Sequence, residues 1–438
     1  MSTRDVWRRM SPFRGVEQPG QVISWGMYDL ANQSFTLLVV TLFYGLYFKT
    51  RVVGEDGRGE ALWGQSFALA SVIAVCLSPF VGAAADATGR RKAWLIGTGA
   101  GCVALTACLA FVGRGDVGLG MTLFVGACAL FMLGENFLGA FLPQISTPET
   151  VGRVSALGWT FGYIGALVCL PAALLLPGVA QGTDEGFRNV FLFAAAWFAV
   201  AGLPTALFLR DRGIASVREK RGVHATFARL ARTAREIGRF RDLAVFLFAF
   251  FVYSCGVQVI VVFAGIIAEK HLGSGSRIVW FVWTLAAVSG LTSFITALVH
   301  DRVGRRTVLV FALLVWTGTA LGASALPERD GSLWTLGLLG IGVGIGLGVI
   351  GPASRALVAD LTPRRRSAEF FGFWGLAYKS AGVCGPLTYG LVSKQAGQDK
   401  AMLLVAGAFA IGLAGLALVD VRRGRAAAAE RAPNPEGT

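Results

Sequence analysis

The sequence predicts an all-α membrane protein in which twelve transmembrane helices form two pseudo-symmetric bundles of six. Two observations support this fold class. Long apolar runs recur twelve times along 438 residues, of which only 15% are charged. Motifs of the first half also return 215 positions later in the second half. Helices are the expected spanning form because lipid cannot satisfy unpaired backbone groups.

The internal repeat is clearest in a loop motif of the form Gly-x-x-x-Asp-x-x-Gly-Arg-Arg. Its first copy comprises Gly82, Asp86, Gly89, Arg90 and Arg91, and its second copy comprises Asp301, Arg302, Gly304, Arg305 and Arg306. The same offset relates Tyr163 to Tyr378 and Pro171 to Pro386. A constant offset across separate stretches indicates gene duplication. Parallel halves of this kind are one architecture of secondary transporters.

The apolar runs define the spans and the domain boundaries. Each run can cross about 30 Å of hydrocarbon as a helix that rises 1.5 Å per residue. The predicted spans are 23–48, 61–85, 93–113, 118–142, 154–177, 188–209, 243–268, 278–299, 307–326, 332–359, 369–393 and 401–420. The predicted domains are an N-terminal six-helix bundle (1–209), a basic cytoplasmic linker (210–242), a C-terminal six-helix bundle (243–425) and a disordered tail (426–438).

The linker has the pattern of an amphipathic helix. Phe227, Leu230, Ala234 and Ile237 recur every three to four residues, and arginines fill the positions between them. Such a helix is expected to lie on the anionic inner leaflet of the membrane. A docking helix for a cytosolic partner is the alternative.

Positive charge sets the orientation. Of the 40 Lys and Arg residues, 28 fall on the side that holds both termini and the linker, and ten fall on the other side. The positive-inside rule therefore predicts a multi-pass protein of the bacterial inner membrane with both termini in the cytoplasm. The same bias explains the net charge of +14 without a nucleic-acid partner. The first 20 residues are polar, so the first span is expected to act as its own insertion signal.

The sequence argues against an enzyme, a metal site or a cofactor. The seven cysteines lie inside predicted spans without a C-x-x-C pair, and the three histidines are scattered. There is no Gly-x-x-x-x-Gly-Lys-Ser/Thr motif for ATP. The expected partners are the lipid bilayer, a small-molecule substrate and, as a candidate coupling ion, the proton. We expect a monomer.

Four ionisable residues inside spans are the primary site candidates, because a charge in lipid is costly unless it is paired or hydrated. Asp29 and Glu135 are acidic and belong to the first half, whereas Arg355 and Lys379 are basic and belong to the second half. Asn32 and Gln33 extend a polar stripe from Asp29 along the first helix, and Asn136 follows Glu135; these three complete the set. The alternative is that the charges are fixed ion pairs that only hold the two halves in register with each other.

The repeated loop is the candidate gating element. Asp86 is expected to end its helix, Gly82 to allow two helices to approach closely, and Gly89 to permit a tight turn. Arg90 and Arg91 would then meet lipid headgroups and helix ends. A plain topological anchor is the alternative function.

At this point the chain resembles a known family. The two loops resemble the signature loop of the major facilitator superfamily, although Ala87 stands where that loop usually has Arg or Lys. Further motifs resemble its vacuole-effluxer-like (autophagy-related amino-acid effluxer) branch: Trp25-x-x-Tyr28-Asp29-x-Ala31-Asn32, Asn136-x-x-x-x-x-Leu142-Pro143, Gly152-Arg153-Val154-Ser155-x-x-Gly158-Trp159-x-x-Gly162-Tyr163, Ser354-Arg355, Glu369-Phe370-Phe371-Gly372-Phe373, and Lys379 with Gly385-Pro386. The resemblance implies the major facilitator fold and, more loosely, amino-acid efflux.

The leading functional hypothesis is secondary transport of a neutral amino acid or related zwitterion by alternating access, with efflux favoured. Lys379 would meet a carboxylate, and Asp29 with Asn32 would meet an amine or bind a proton, a role that Glu135 could also serve. Asp29 or Glu135 would approach Arg355 when the cavity closes to the cytoplasm. The alternatives are an exporter of apolar, drug-like or lipid molecules and a membrane sensor that does not transport.

The predicted topology can be tested by cysteine labelling. Single cysteines at Glu55 and Arg221 should react from opposite sides of the membrane, because these positions lie in loops on opposite sides of the predicted spans. A membrane-impermeant thiol reagent applied to intact cells should modify only the cysteine at Glu55. Labelling of both positions from outside would contradict the topology.

Overall fold

Twelve long helices follow one another in the part of the chain that the structure describes, which confirms the predicted fold class. The computed structural model describes residue 13 and residues 16–54, 57–147, 150–211, 240–273, 275–325, 333–362 and 367–430. The helices are α1 (Pro19–Val53), α2 (Gly59–Thr88), α3 (Arg91–Cys108), α4 (Val117–Ile145), α5 (Val151–Leu174), α6 (Asp184–Phe208), α7 (Arg241–Leu272), α8 (Ser276–Val303), α9 (Arg305–Ala325), α10 (Leu333–Leu361), α11 (Ser367–Ala396), α12 (Gln398–Ala417) and a short α13 (Val421–Glu430).

Each of the twelve predicted spans falls on one of these helices. Within the described residues, eleven of them are long and apolar enough to cross a membrane. The remaining long helix, α11, has 30 residues but a more polar sequence that includes Lys379. Its polarity follows from its place in the fold, because Tyr378 and Lys379 line the central cavity rather than face lipid.

The first helix departs from regular α geometry. Two stretches of α1, Ser34–Phe43 and Phe48–Val53, have π-helical hydrogen bonding, and the turn Tyr44–Tyr47 between them is α-helical. The first π-helical stretch packs against α7, where a Cβ placed at Gly265 would lie 2.6 Å from the carbonyl oxygen of Leu42. Irregular π-helical turns frequently occur at functional sites. This stretch borders the central cavity described below.

The repeated loops have the same backbone geometry. Gly89 lies between α2 and α3 with φ +63°, and Gly304 lies between α8 and α9 with φ +95°. Glycine adopts this left-handed conformation without the steric penalty of a side chain, so the tight turns require it. The side chains of Asp86, Asp301 and Arg302 lie outside the described residues, and their predicted roles stay predictions.

The arginines of the second loop are held by neighbouring helices. Arg305 pairs with Asp360 of α10 and donates to the carbonyl oxygen of Ala356 at 3.0 Å. Arg306 donates to the carbonyl oxygen of Ala417 in α12 at 2.8 Å. In the first loop, a Cβ at Gly82 would meet no described atom within 4 Å. The close helix approach expected at Gly82 stays a prediction.

The two bundles meet tightly at one end. We call the end where α6 finishes and α7 begins the linker end, and the opposite end, where α1 finishes and α2 begins, the far end. Trp63 of α2 donates to the carbonyl oxygen of Val262 in α7 at 2.9 Å. A Cβ at Gly64 would lie 2.3 Å from the carbonyl oxygen of Pro386 in α11. The repeat-related pair, α5 and α8, is joined by Trp283, which donates to the carbonyl oxygen of Leu167 at 3.1 Å.

A polar cluster around Glu60 adds to the far-end contact. Glu60, at the start of α2, is 9% exposed. It forms an ion pair with Lys49 of α1 at 2.9 Å and accepts hydrogen bonds from Ser393 of α11 and from Gln398 of α12, the latter at 2.5 Å. One carboxylate of the first bundle therefore holds two helices of the second bundle.

The C-terminal helix α13 lies across the linker end of the second bundle. Arg423 binds Asp242 of α7 through two hydrogen bonds of 2.7 and 2.6 Å, and Arg425 pairs with Asp360 of α10 at 2.5 Å. The backbone of Asp420 adds a third contact by donating to Asp242 at 2.9 Å. These bonds fix the helix at the point where the chain leaves α12.

The predicted tail is partly described by the structure, and the predicted linker is described only at its two ends. Disorder is predicted from residue 426, but α13 continues to Glu430 because its alanine run, 426–429, has high helix propensity. Residues 431–438 and the linker residues 212–239 lie outside the described residues, so the amphipathic linker helix and the end of the tail stay predictions. At the linker's first residues, Asp211 accepts a hydrogen bond from the backbone of Lys92 at 2.9 Å.

Gly64→Leu is expected to disfavour the conformation in which the far end is closed. The added side chain would occupy the space that now holds the carbonyl oxygen of Pro386, and α2 and α11 would have to separate. In a background without native cysteines, a cysteine at Ser71 should then react faster with an impermeant reagent supplied from the far side. Gly97→Leu is the matched control, because a Cβ at Gly97 meets no described atom within 4 Å. Equal labelling in the two variants would contradict this account of far-end closure.

Candidate functional site

A cavity of about 2930 Å³ lies between the two bundles. Its lining includes Phe240, Asp360 and Arg425, which places its mouth at the linker end. The far-end contacts close it at the other end. Its volume exceeds the ~300–1,000 Å³ typical of a small-molecule pocket, because it includes the open vestibule as well as any binding site.

Asp29 reaches the cavity because the face of α5 that packs against α1 carries glycines. A Cβ at Gly158 would lie 2.8 Å from Oδ2 of Asp29 and 2.6 Å from the ring of Trp25. Two turns further along α5, a Cβ at Gly165 would lie 2.4 Å from the carbonyl oxygen of Leu30. The glycines therefore let the two backbones approach closely and leave room for the carboxylate beside α5.

Arg355 extends from α10 of the second bundle to the first bundle. Its Nη1 donates a hydrogen bond of 2.6 Å to the hydroxyl of Ser155, one turn before Gly158 on α5. Its guanidinium carbon lies 5.6 Å from the ring centroid of Trp374, within the range of a cation–π interaction. An electrostatic interaction links Arg355 with Asp29.

Glu135 and Lys379 form the second cross-bundle pair. Oε1 of Glu135 accepts a hydrogen bond of 2.6 Å from Asn32 of α1, and the carboxylate interacts electrostatically with Lys379. The Lys379 ammonium donates to Oδ1 of Asn136, whose amide nitrogen donates to Ser78 at 2.8 Å. A chain of hydrogen bonds therefore joins Lys379 of the second bundle to α4 and α2 of the first.

Charge is balanced within the cavity. Apart from the Asp360–Arg425 pair at the mouth, the first bundle supplies two acids and the second bundle supplies two bases. Asp29 interacts with the like charge of Glu135 as well as with Arg355, and Glu135 interacts with Lys379. Removing one member would leave a half-buried charge uncompensated, which is more costly than losing the pair. Arg355 interacts with Asp29 here; the predicted change of this contact between conformations stays a prediction.

The structure brings most of the predicted site residues together. The following residues line the main cavity: Asp29, Asn32, Gln33, Glu135, Arg355 and Lys379. Asn136 differs, because it lies behind Lys379 and lines a separate pocket of about 320 Å³ with Gly82 and Arg91. The Asn136 amide therefore positions Lys379, and in this conformation it does not face the main cavity.

Sequence reasoning missed several polar residues of the cavity because it started from the charged groups in spans and added only polar residues next to them along the chain. Ser155 and Trp374 hold Arg355, whereas Thr41, Ser71 and Gln258 lie toward the closed end. Gln258 could have been identified from the sequence as a site candidate, since it is the one side-chain amide within the apolar run 243–268. Ser71 and Thr41 could not, because hydroxyl residues are common in transmembrane helices and often bond their own backbone.

The Glu135–Lys379 pair can be tested through stability. Lys379→Met should lower the free energy of unfolding by less than the ~3–5 kcal/mol expected for a fully buried pair, because Glu135 then lacks its base but still lines the open cavity. The double variant Glu135→Gln with Lys379→Met should recover most of that loss, as measured by thermal unfolding in detergent. Lys394→Met, an exposed change on the same helix, is the control. A double variant less stable than Lys379→Met alone would show that the two charges do not compensate each other.

Comparisons with known proteins agree with this architecture. Residues 60–429 match the model of the family described as "Vacuole effluxer Atg22 like". The uncharacterized MFS-type transporter YxiO of Bacillus subtilis (strain 168) is 28% identical over 409 residues, which covers 90% of this chain and 94% of that protein. Autophagy-related protein 22-1 of Aspergillus fumigatus is 25% identical over 309 residues, 64% of this chain and 51% of that protein. The matched region thus spans about half of that fungal relative.

Solved structures share the fold at low sequence identity. A mutant of the nucleoside transporter NupG superposes with a TM-score of 0.72 at 14% identity, covering 92% of this chain and 100% of NupG. The xylose transporter XylE from E. coli, in an inward-open conformation, gives a TM-score of 0.69 at 12% identity, covering 91% of this chain and 95% of XylE. The chain therefore belongs to the Atg22-like vacuole effluxer family and is a multi-pass membrane transporter with the major facilitator fold.

Proposed function

We propose that this transporter moves a small zwitterionic solute, with neutral amino acids as the leading class, by alternating access in the direction of efflux. One observation supports this most directly: beyond the mouth, the cavity holds both signs of charge, with the acids Asp29 and Glu135 from the first bundle and the bases Arg355 and Lys379 from the second. A zwitterion can satisfy both signs without carrying net charge into a low-dielectric site, where an unpaired charge is costly. Sugars and inorganic ions have no such match.

The proposed roles follow the geometry of the two pairs. Lys379 meets the carboxylate of the cargo, and Asp29 with Asn32 meets its amine. Glu135 already receives a hydrogen bond from Asn32 at 2.6 Å, so a group that binds Asn32 also changes the surroundings of Glu135. We therefore propose Glu135 or Asp29 as the proton-binding group, and protons as the coupling ion.

The transport cycle starts from the conformation described here. The charge bias of the loops places the linker end in the cytoplasm of a bacterial cell, so this cavity would load from the cytoplasm. Release on the other side requires the far-end contacts of Trp63, Gly64 and Glu60 to separate while the linker end closes. Both signs of charge come from one chain, and we propose a monomer as the functional unit.

The family description, a vacuole effluxer, supports solute efflux as the activity. The cargo class rests on the two signs of charge in the cavity. The domain boundaries at 209, 242 and 425 are part of the same proposal, since the six-helix halves would move as units around the cavity.

An exporter of apolar molecules is the second candidate, because one cavity wall is aromatic. Phe250 stacks on Trp374 with ring centroids 5.3 Å apart and on Tyr378 with centroids 6.2 Å apart. All three rings line the cavity. Such a wall suits a flat apolar cargo as well as the side chain of an amino acid.

Counterflow in proteoliposomes tests the proposal. We expect uptake of labelled neutral amino acids against an unlabelled internal pool, loss of at least about tenfold in rate with Asp29→Asn, and stimulation by an imposed pH gradient. Glu185→Gln, an exposed change at the start of α6, is the control and should leave the rate unchanged. Amino-acid flux that does not change with the pH gradient would contradict proton coupling but leave the cargo class in place. Flux of an apolar cation without amino-acid flux would overturn the zwitterion proposal.

A further inference from the structure

Three neutral polar side chains line the cavity toward its closed end, away from the charged pairs. They are Thr41 of α1, Ser71 of α2 and Gln258 of α7, and all three line the cavity. They are almost fully buried, with exposed fractions of 7%, 1% and 6%. Two bundles contribute to this group, since Thr41 and Ser71 belong to the first and Gln258 to the second.

Ser71 and Gln258 converge on one spot above Gly382 of α11. A Cβ built on Gly382 would lie 3.0 Å from Nε2 of Gln258, 3.2 Å from Oγ of Ser71 and 3.5 Å from Cε1 of Phe67. The absence of a side chain at position 382 therefore lets Ser71, Gln258 and Phe67 pack closely against the backbone of α11. A methyl group at this position would already push against the two polar groups.

The group has hydrogen-bonding capacity that the described residues do not use. Thr41 Oγ1 is buried and has no partner among them. The amide of Gln258 makes a long contact of 3.5 Å with the carbonyl oxygen of Tyr378. Ser71 donates to Phe67 at 2.9 Å, which leaves its oxygen able to accept. Buried polar groups without partners are rare in proteins, and a ligand is one reason for them.

The group lies within one helical turn of Lys379. Gly382 follows Lys379 by three residues of α11 toward the far end, a rise of roughly 4.5 Å. Gln258 contacts the carbonyl of Tyr378, the neighbour of Lys379 in sequence. A cargo whose carboxylate binds Lys379 would thus place a side chain of a few atoms next to Ser71 and Gln258, in the part of the cavity that Thr41 also lines.

We propose that Thr41, Ser71 and Gln258 form an uncharged subsite that hydrogen-bonds a hydroxyl or carboxamide on the side chain of the cargo. This inference rests on the proposed transport of amino acids. Side chains with a charge find no counter-charge in the group, and purely apolar side chains leave its polar atoms unpaired, so both are disfavoured. The favoured cargo is a neutral amino acid with a short polar side chain.

Isosteric competitors test the subsite. In the counterflow assay, threonine should compete about tenfold better than valine, since the two differ by one hydroxyl in place of a methyl. The double variant Thr41→Val with Gln258→Leu should bring the threonine-to-valine ratio close to one. Thr36→Val is the control: Thr36 lines the same cavity from the same helix, but its hydroxyl donates to the backbone of Asn32 at 3.4 Å, and the ratio should not change.

A smaller substitution tests the subsite even if the double variant folds poorly. Gly382→Ala adds one methyl group between Ser71 and Gln258, and it should weaken competition by threonine and glutamine while competition by glycine, which has no side chain, stays the same.

Each outcome has a definite meaning for the subsite. Equal competition by threonine and valine in the unmodified protein, or a ratio that survives the double variant, would overturn the subsite and leave amino-acid transport in place. Lower thermal stability with an unchanged ratio would show that the three residues only bind helices together. If no amino acid is transported in any condition, the result contradicts the proposed function, and with it the subsite.

Discussion

The rest of the cavity depends on compensation of charge between the two bundles. An acid or a base held away from water is tolerated when an opposite charge and hydrogen-bond partners surround it. Among the described residues, Arg355 and Lys379 of the other bundle supply the opposite charges for Asp29 and Glu135. Ser155, Asn32 and Asn136 then supply the hydrogen bonds that orient each charge. Neither bundle could keep its charges at the same cost alone.

Close helix approach at glycine is a second recurring feature. It occurs both within the first bundle and between the two bundles. Within the first bundle, Gly165 lets the backbone of Leu30 approach its Cβ position to 2.4 Å, which holds α1 and α5 together around Asp29. Between the bundles, Gly64 lets the carbonyl of Pro386 approach to 2.3 Å at the far end. Lipid provides no hydrophobic force between helices, so close packing at small residues is a main source of attraction. A contact of this kind can also separate without exposing a charge.

The fold was predictable from the sequence because its signals are local. Apolar runs gave all twelve spans, and the repeat gave the paired turns at Gly89 and Gly304, whose positive φ angles match. The location of the charges in the cavity also followed, since a charge in a span has few other places to go. The pairing of Glu135 with Lys379, the position of Asn136 behind it, and the role of Gln258 could not be predicted, because they depend on how each helix is rotated about its axis. The extension of α13 to Glu430 was missed because composition alone suggested disorder.

Charge balance also constrains how the proposed transporter could move. The empty cavity is neutral because its own acids and bases compensate one another, and a cavity holding a zwitterion is neutral as well. A cargo with a single charge would leave one of the four groups in excess, and reorganising the bundles around that excess would carry a large electrostatic penalty. Protonation of one acid would create the same imbalance, and a zwitterion cannot offset it because it carries no net charge. Proton coupling would therefore have to carry the electrostatic penalty of one extra charge in the moving cavity.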